Sequence, residues 1–441
     1  MNLIETVPQG GSGIEKNGLA GGTSFSSTRS ERISSVLSYF LAYIYTGIYY
    51  YTGTRSSVCI ALTAILMITI TELIHREVPR SGESWIWLFC FCLTVLSAVL
   101  ERESVWNRGE VILFIHIFAV WWIISRAGVL LDGRSGHLLP LDALNGFMII
   151  PFGHFFLRVR TLFDGISGLF RNRPARKRRG WGWTVAALAV SAMLFFKAAD
   201  LLLSADSGFQ ARFTGISEYL RRALSSISDL FDETVPERII FSLLVGCWLF
   251  GLISGSFRHS RSVLEAERGY MADILQKLRR VPSRLWALVI GLFSVMYLTF
   301  FILQSSYLFG AFTGTLPEGF IVSQYAREGF FELCKVISVN FTLLWFVTRM
   351  TSDATRSSHL FLVPCLMLLA ESMLFAVIAF SKLLLYISCF GFTPLRLQST
   401  WLVCLCFAGC ALWMYSLLTG KPAFRKWMVY GAVTLSVLCL V

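Results

Sequence analysis

The sequence predicts an all-α protein, a polytopic bundle of about 11–12 transmembrane helices. Of its 441 residues, 55% are hydrophobic and only 15% are charged, whereas about a quarter of the residues in an average soluble domain are charged. A helix needs about 20 mostly apolar residues to cross the hydrocarbon layer, and the chain contains many such runs. The alternating segments typical of a membrane β-barrel are not seen in the sequence. We therefore expect the chain to lie in a membrane.

The first part of the chain consists of a polar tail and five candidate helices. Residues 1–33 are rich in Gly and Ser and lack an apolar core, which is typical of a disordered tail rather than of a cleaved signal peptide. Residues 34–441 are expected to form a single integral membrane domain. Its first candidate helices cover residues 34–52, 56–75, 84–100, 108–131 and 138–157. Because Pro140 and Pro151 lie in the last of these, that helix is expected to be broken or to lie partly in the interface.

The middle of the chain carries most of its excess positive charge. The net charge is +12, and the basic residues concentrate in a loop at 171–181 and in the segment 257–284, which we interpret as a cytoplasmic helical segment. This distribution is typical of cytoplasmic loops beside membrane helices, so the expected partner is anionic lipid headgroups and not nucleic acid. A candidate span lies between them at 182–203. The mixed polar and apolar segment 209–235 is typical of an amphipathic helix on the bilayer surface.

A further candidate span covers residues 237–256, and the last third supplies the remaining ones at residues 285–309, 321–348, 359–389, 395–418 and 424–441. If both basic segments are cytoplasmic, residues 349–356 and 421–426 face the cytoplasm and residues 391–393 face outside. The same alternation places the N-terminal tail outside, which is unusual without a signal peptide. An interfacial helix at 138–157 or at 34–52 would remove this conflict, so the number of spans stays open at 11 or 12.

The cysteines, the histidines and the sequence motifs give no sign of an enzyme. Ten of the eleven cysteines lie in apolar runs, where cysteine acts as a small hydrophobic residue. The six histidines are scattered, and no Cys/His spacing matches a zinc site. The sequence contains no phosphate-binding loop, serine-hydrolase elbow or metalloprotease motif. The sequence thus favours a non-enzymatic protein without a catalytic residue, a cofactor or a metal.

The candidate site is a set of charged and polar residues inside the last spans, where charges are costly and usually face the protein interior or water. Tyr325, Glu328, Glu332 and Lys335 follow one another at offsets of three and four residues, so they lie on one face of a helix. Asn340 lies on another face of the same helix. These residues predict a polar patch that a neighbouring helix must cover.

The next two spans carry opposite charges that are suited to such a patch. Glu371 and Lys382 are eleven residues apart, about three helical turns, so they share a face without touching each other. Arg396 begins the following span at the level expected for Lys382. The three acidic and three basic residues predict a balanced network that forms an ion site or a proton relay, or that only holds three helices together.

Three segments resemble motifs of a bacterial membrane family known only as a domain of unknown function, four-one-five-three, or the allied four-one-seven-three. They are YAREGFFEL with Asn340 downstream, LLLYISCFGFTPLRLQSTW and KAADLLLSADSGF. LPLDALNGFMIIPFGHF is a looser match. The resemblance covers roughly residues 140–420 and implies a multi-pass protein of the bacterial plasma (inner) membrane. It also implies that the family's characteristic positions include Tyr325, Arg327, Glu328, Gly329, Glu332, Asn340, Thr393, Leu395 and Arg396.

Three functional hypotheses follow. The leading one is a non-enzymatic protein of transporter-like or channel-like construction, with a polar site in the outer half of the bundle. The second is a membrane sensor or scaffold that contacts a membrane or cytoplasmic signalling partner through residues 257–284, because of the size and charge of that segment. Members of the resembled family also look like partners of sensory systems. The third is a membrane-embedded enzyme that acts on a lipid-linked substrate.

Overall fold

A computed structural model describes residues 25–100, 105–136, 138–171, 235–259, 283–313, 322–351 and 358–441, together with a few separate positions between 191 and 279. All regular secondary structure within these ranges is helical. Eight of the described helices are long and apolar enough to cross a membrane. The predicted fold class, an all-α polytopic bundle, is therefore confirmed.

Fourteen α-helices and one π-helical turn make up the described structure. In chain order they are α1 (Arg29–Tyr50), α2 (Gly53–Ile74), α3 (Gly82–Leu100), α4 (Arg108–Ala127), α5 (Leu139–Leu144), the π-helical turn Asn145–Ile149, α6 (Ile150–Gly153), α7 (Leu157–Arg171), α8 (Val235–Arg258), α9 (Ser283–Leu303), α10 (Ser305–Thr313), α11 (Val322–Met350), α12 (His359–Phe390), α13 (Pro394–Thr419) and α14 (Phe424–Leu438).

Eight described helices fit the length and composition of a span, namely α2, α3, α4, α8, α9, α11, α12 and α13. The first helix is 22 residues long, but its Ser and Tyr residues make it more polar than these eight. The last helix has only 15 residues. The candidate span 182–203, the amphipathic segment 209–235 and most of the segments 171–181 and 257–284 lie outside the described residues. The number of 11 or 12 spans therefore stays a prediction.

The candidate helix at 138–157 is interrupted, as its prolines predicted. It is divided into α5, the π-helical turn and α6, with Pro140 in the first turn of α5 and Pro151 in that of α6. The turn lies against α4 at Gly146, where a Cβ atom would be 3.0 Å from a methyl carbon of Val120. A glycine suits this close approach, because a side chain here would have to push aside methyl groups of Val120 and Ile124 on α4.

The described helices pack around two separate hydrophobic cores. The first bundle comprises α1 to α8, and its core is centred on aromatic residues such as Phe91, Trp122 and Phe250. The rings of Phe91 and Trp122 are stacked with their centroids 6.0 Å apart. The second bundle comprises α9 to α13, and its core includes Phe361 and Phe375. Each bundle thus buries its own apolar surface.

The last helix, α14, joins the two bundles by packing on both α3 and α13. The Nε atom of Arg425 donates a hydrogen bond to a Glu83 carboxylate oxygen over 2.9 Å. On the other side, Trp401 Nε1 donates to Thr434 Oγ1 over 2.9 Å. The C-terminal helix is therefore a structural link between the bundles.

Candidate functional site

The first bundle buries an arginine whose partners are all provided by its own fold. The side chain of Arg126 in α4 is 3% exposed and forms a two-pronged ion pair with Glu72, with N–O distances of 3.0 and 3.1 Å. The same guanidinium also donates to the backbone oxygens of Val78 and His75. Arg80 donates a further hydrogen bond to Glu72. A charge with this many partners is stable in the protein interior and leaves little capacity for a ligand.

His75 directly follows α2 and lies beside this ion pair. Burial lowers the pKa of its imidazole to about 4, and the positive charge of Arg126 acts in the same direction. Its Nδ1 atom is 2.9 Å from the backbone oxygen of Thr71. The ring is therefore neutral near neutral pH, so it adds no second positive charge next to Arg126.

Glu83 is a buried carboxylate of the first bundle whose hydrogen bonds are also provided by the fold. Glu83 in α3 accepts hydrogen bonds from Trp87 Nε1 and from the backbone N–H of Ser135, as well as from Arg425. Ser135 Oγ in turn accepts from the indoles of Trp87 and Trp121. This network joins α3, α4 and α14, and it has the features of a structural clamp.

Two further arginines in the first bundle are buried against hydroxyl groups and tyrosine rings. Arg158 donates to Ser38 Oγ over 3.0 Å and lies over the ring of Tyr39 at 3.6 Å from its centroid. Arg238 donates to Thr46 Oγ1 and to the hydroxyl of Tyr51. All four partners belong to α1 or the residue that follows it. The polar face of α1 therefore stabilises both cations.

The second bundle contains a chain of polar side chains at its centre. The hydroxyl of Tyr297 in α9 donates to Asn340 Oδ1 over 2.7 Å. Asn340 Nδ2 donates to Ser372 Oγ over 2.9 Å, and the hydroxyl of Ser372 donates to the backbone oxygen of Leu368. This chain connects α9, α11 and α12 at one level.

Glu371 lies next to this chain but differs from every buried carboxylate of the first bundle. Its side chain is 7% exposed, and neither carboxylate oxygen has a hydrogen-bond partner among the described residues. Ser294 Oγ on α9, which also has no hydrogen-bond partner among the described residues, lies near this carboxylate. Tyr297 on the same helix is within electrostatic range of Glu371. Because α12 runs from His359 to Phe390, Glu371 is roughly 5 Å from the middle of this long helix.

A cavity of about 250 Å³ is lined by residues of α9, α10, α11 and α12, and Tyr297 is part of its wall. Its charged lining residues are Glu332 of α11 and Lys382 of α12, and these two interact electrostatically. Lys382 is fully buried, whereas Glu332 is exposed. Phe375 and Tyr297 form the apolar part of the wall. The cavity thus extends from the Glu332 and Lys382 pair to the hydroxyl-bearing ring of Tyr297.

The structure brings together four of the predicted site residues. Glu332 and Lys382 line the cavity, while Asn340 and Glu371 lie around Tyr297. Lys335 is exposed on α11. Tyr325, Arg327 and Glu328 lie in the first turns of α11, but their side chains are outside the described part of the structure.

Arg396 is engaged by its own neighbourhood. Its guanidinium lies 4.3 Å from the ring centroid of Tyr386 and donates to the backbone oxygen of Gly391. Both contacts are to the end of α12 and the turn that follows it. These contacts fix the first turn of α13 against the end of α12. They give Arg396 a structural role that needs no ligand.

Three polar residues of the site were missed by the sequence analysis, namely Ser294, Tyr297 and Ser372. Ser294 and Tyr297 are three residues apart, so they occupy one face of α9. Ser372 directly follows Glu371. This spacing was visible in the sequence, but hydroxyl groups in apolar runs are common in membrane helices and often bond only to their own backbone.

The chemistry available at this site is that of one carboxyl group, one amide, three hydroxyls and a charged pair at the entrance. In the described ranges, no group of three His, Cys, Asp or Glu residues is arranged to hold a metal ion. A carboxyl group beside a chain of hydroxyls is suited to accept and release a proton.

Comparisons with known proteins give one match. A family model described as "Domain of unknown function (DUF4153)" matches residues 86–441, so the match includes every residue of the site. No curated protein and no solved structure matches the chain.

Proposed function

The chain belongs to the DUF4153 family, whose description names no activity, and from its buried polar site we propose that it is a membrane transport protein that carries protons through its second bundle. Glu371 is the proton-binding group. Glu332 and Lys382 form the entrance, and Tyr297 lies between the entrance and Glu371.

The observation that carries this proposal is the burial of Glu371 without a hydrogen-bond partner among the described residues. An ionised carboxylate in apolar surroundings is strongly disfavoured, so burial favours the neutral, protonated group. Glu371 is not among the residues that line the cavity, so water would have to pass Tyr297 to favour the ionised group and the release of the proton. Access of water therefore controls whether this carboxyl group holds or releases a proton.

The arrangement of the cavity supports a route from the outer residues to Glu371. The positive charge of Lys382 and the negative charge of Glu332 offset each other, so this pair adds no net charge to the entrance. A hydroxyl group can both donate and accept a hydrogen bond, which allows Tyr297 to pass a proton between water in the cavity and Glu371. Ser294 offers a second hydroxyl on the same helix.

The test uses the full-length protein in lipid vesicles that contain a pH-sensitive dye. A potassium gradient and valinomycin set the membrane potential, and the rate of proton uptake is measured for wild type, Glu371→Gln and Glu77→Gln. We expect Glu371→Gln to lower the protein-dependent rate by about tenfold or more, since a glutamine cannot exchange the proton. Glu77 is exposed in the loop after α2, so its variant should behave as wild type.

Two results would overturn the proposal. One is a wild-type rate that equals the rate of vesicles without protein. The other is a Glu371→Gln rate equal to that of wild type in protein that unfolds at the same temperature. Glu371→Asp serves as the conservative variant, and partial recovery of the rate would support a proton-binding role.

A further inference from the structure

A second and larger cavity lies at the other end of α11, far from Glu332 and Lys382. Its volume is about 660 Å³. It is bounded by the last turns of α11 and α13, the loop at 420–423 and the first turns of α14. Because residues 349–356 and 421–426 are the basic loops of this end, it is the end expected to face the cytoplasm.

The deep part of this cavity is aromatic and closely packed. The ring centroid of Phe341 is 5.8 Å from that of Trp413 and 5.6 Å from that of Trp427. A Cβ atom at Gly409 would lie 2.9 Å from Trp427 Nε1 and 3.0 Å from Phe341 Cζ. Only a glycine on α13 leaves room for both rings. The indole N–H of Trp427 is already bonded to the backbone oxygen of Leu405, so this wall presents apolar surface.

The mouth of the cavity is polar and basic. Thr348 and Arg349 line it from the end of α11, and Ser416 and Thr419 line it from the end of α13. Arg349 is the charged residue among those that line the cavity, and Lys421 lies in the adjoining loop. The cavity therefore combines an aromatic interior with a cationic, hydroxyl-bearing entrance.

We propose that this cavity binds one phospholipid with an anionic headgroup. The headgroup phosphate lies at Arg349 and the nearby hydroxyls, and an acyl chain lies along Trp345 and Trp413. An arginine fork is suited to phosphate oxygens. Tryptophan is favoured at the boundary between lipid headgroups and hydrocarbon, and basic pockets between membrane helices are a known setting for anionic lipids. The volume is in the range of sites that enclose a small organic ligand.

This assignment differs from the general attraction of basic loops to an anionic membrane. A diffuse attraction would depend on the number of positive charges at the surface and would not need a cavity. A bound lipid depends on one arginine and on the aromatic walls together. A free phosphate ion would use the arginine alone, and a neutral amphiphile would use the walls alone.

The experiment measures lipid retention by native mass spectrometry of the full-length protein in detergent. Phosphatidylglycerol, phosphatidylcholine with the same acyl chains, and inorganic phosphate are added separately. The variants are Arg349→Gln, the matched control Arg284→Gln and Trp345→Ala. Arg284 is an exposed arginine in the first turn of α9, outside the cavity lining, at the same expected end of the molecule.

We expect wild type to retain phosphatidylglycerol about tenfold better than phosphatidylcholine, and Arg349→Gln to remove that preference, because one charge-assisted hydrogen bond is lost. Arg284→Gln should retain the preference. Trp345→Ala should weaken both lipids by a similar factor, since it removes apolar contact and no charge.

Three results would overturn the proposal. The first is equal retention of the two lipids by wild type. The second is an equal loss in Arg284→Gln and Arg349→Gln, which would indicate a surface attraction. The third is retention of inorganic phosphate at the same concentration as the lipid. Thermal unfolding of each variant identifies a misfolded protein, and in that case Arg349→Lys, which keeps the charge but not the fork, replaces Arg349→Gln.

Discussion

The two bundles bury charged side chains in different ways. In the first bundle, Arg126 and Glu72 satisfy each other, and Glu83 accepts hydrogen bonds from three residues. In the second bundle, Glu371 is equally buried and its carboxylate has no hydrogen-bond partner among the described residues. Since an unsatisfied buried carboxylate is costly, Glu371 does not stabilise the fold as the ion pairs of the first bundle do, and this supports the proposed role in proton binding.

This contrast separates the charges with complete hydrogen bonding from Glu371 more clearly than charge content alone. A buried ion pair with complete hydrogen bonding fixes the positions of the helices that carry it. A buried carboxyl group without partners fixes nothing and remains available to a proton or a ligand. The three predictions below test this difference through the free energy of unfolding, measured by titration with a denaturing detergent in mixed micelles.

The largest effect is expected in the first bundle, for Arg126→Met. This substitution removes the cation from Glu72 and leaves the backbone oxygens of Val78 and His75 without their donor. Glu72 is 24% exposed and keeps its bond to Arg80, so most of the cost comes from the two backbone oxygens, and we expect the free energy of unfolding to fall by about 3 kcal/mol. The control is Arg80→Gln at the 48% exposed end of the same cluster, which should cost less than about 1 kcal/mol. Equal effects of the two variants would contradict a buried structural pair.

An intermediate effect is expected in the second bundle, for Tyr297→Phe. The change leaves the buried amide oxygen of Asn340 without its donor, which costs about 1 to 2 kcal/mol. Tyr430→Phe, at an exposed tyrosine of α14, should change the stability by less than about 0.5 kcal/mol. If Tyr297→Phe had no effect on stability, the polar chain would not be formed as described.

The smallest effect on stability is expected for Glu371→Gln. The carboxylate has no hydrogen bond to lose among the described residues, and a neutral amide is cheaper to bury than a charge. The free energy of unfolding should therefore stay within about 0.5 kcal/mol of wild type or rise.

Glu83→Gln is the matched control, because it makes the same substitution at a carboxylate with three partners. It should lose about 1.5 to 3 kcal/mol, the contribution of a hydrogen bond to a charged group. A loss of the same size in Glu371→Gln would show that this carboxylate has a structural role, and the contrast between the bundles would fail.

The helical fold could be predicted from the sequence because hydrophobic runs of span length have few alternatives in a membrane. The bounds of most helices were predicted to within a few residues; the span expected at 395–418, for example, is observed as Pro394–Thr419. The prediction was less informative where polar residues interrupt the apolar pattern. In residues 138–157 it gave a broken helix but not its division by a π-helical turn.

The site could be predicted only in part, because spacing along one helix gives the face of a residue and not its neighbouring helix. The expected importance of Glu371, Lys382 and Asn340 came from charge and polarity alone. Tyr297, which donates to Asn340, and Ser294, which lies near Glu371, are both on α9, and no pattern in the sequence identifies α9 as the helix that covers these two residues. The sequence placed Arg396 in the network because of its expected depth in the membrane. In the structure, Arg396 contacts Tyr386 and Gly391 at the end of α12.

The buried arginines of the first bundle show the same difficulty. Arg158 and Arg238 are stabilised by the hydroxyls and rings of α1. On a hydropathy scale an arginine indicates a loop, so neither residue was predicted to lie buried in the bundle. Only the packing of α1 against α7 and α8 reveals their partners.

The bond between Glu83 and Arg425 also affects the order in which the protein matures during synthesis. The two residues are 342 positions apart, and a ribosome adds about 5 to 20 residues per second. Arg425 is therefore synthesised about 20 to 70 seconds after Glu83. During that interval the third helix has a carboxylate that the finished fold neutralises. The first bundle thus reaches its final state only after the second has been synthesised, which makes the whole chain a single unit of biogenesis.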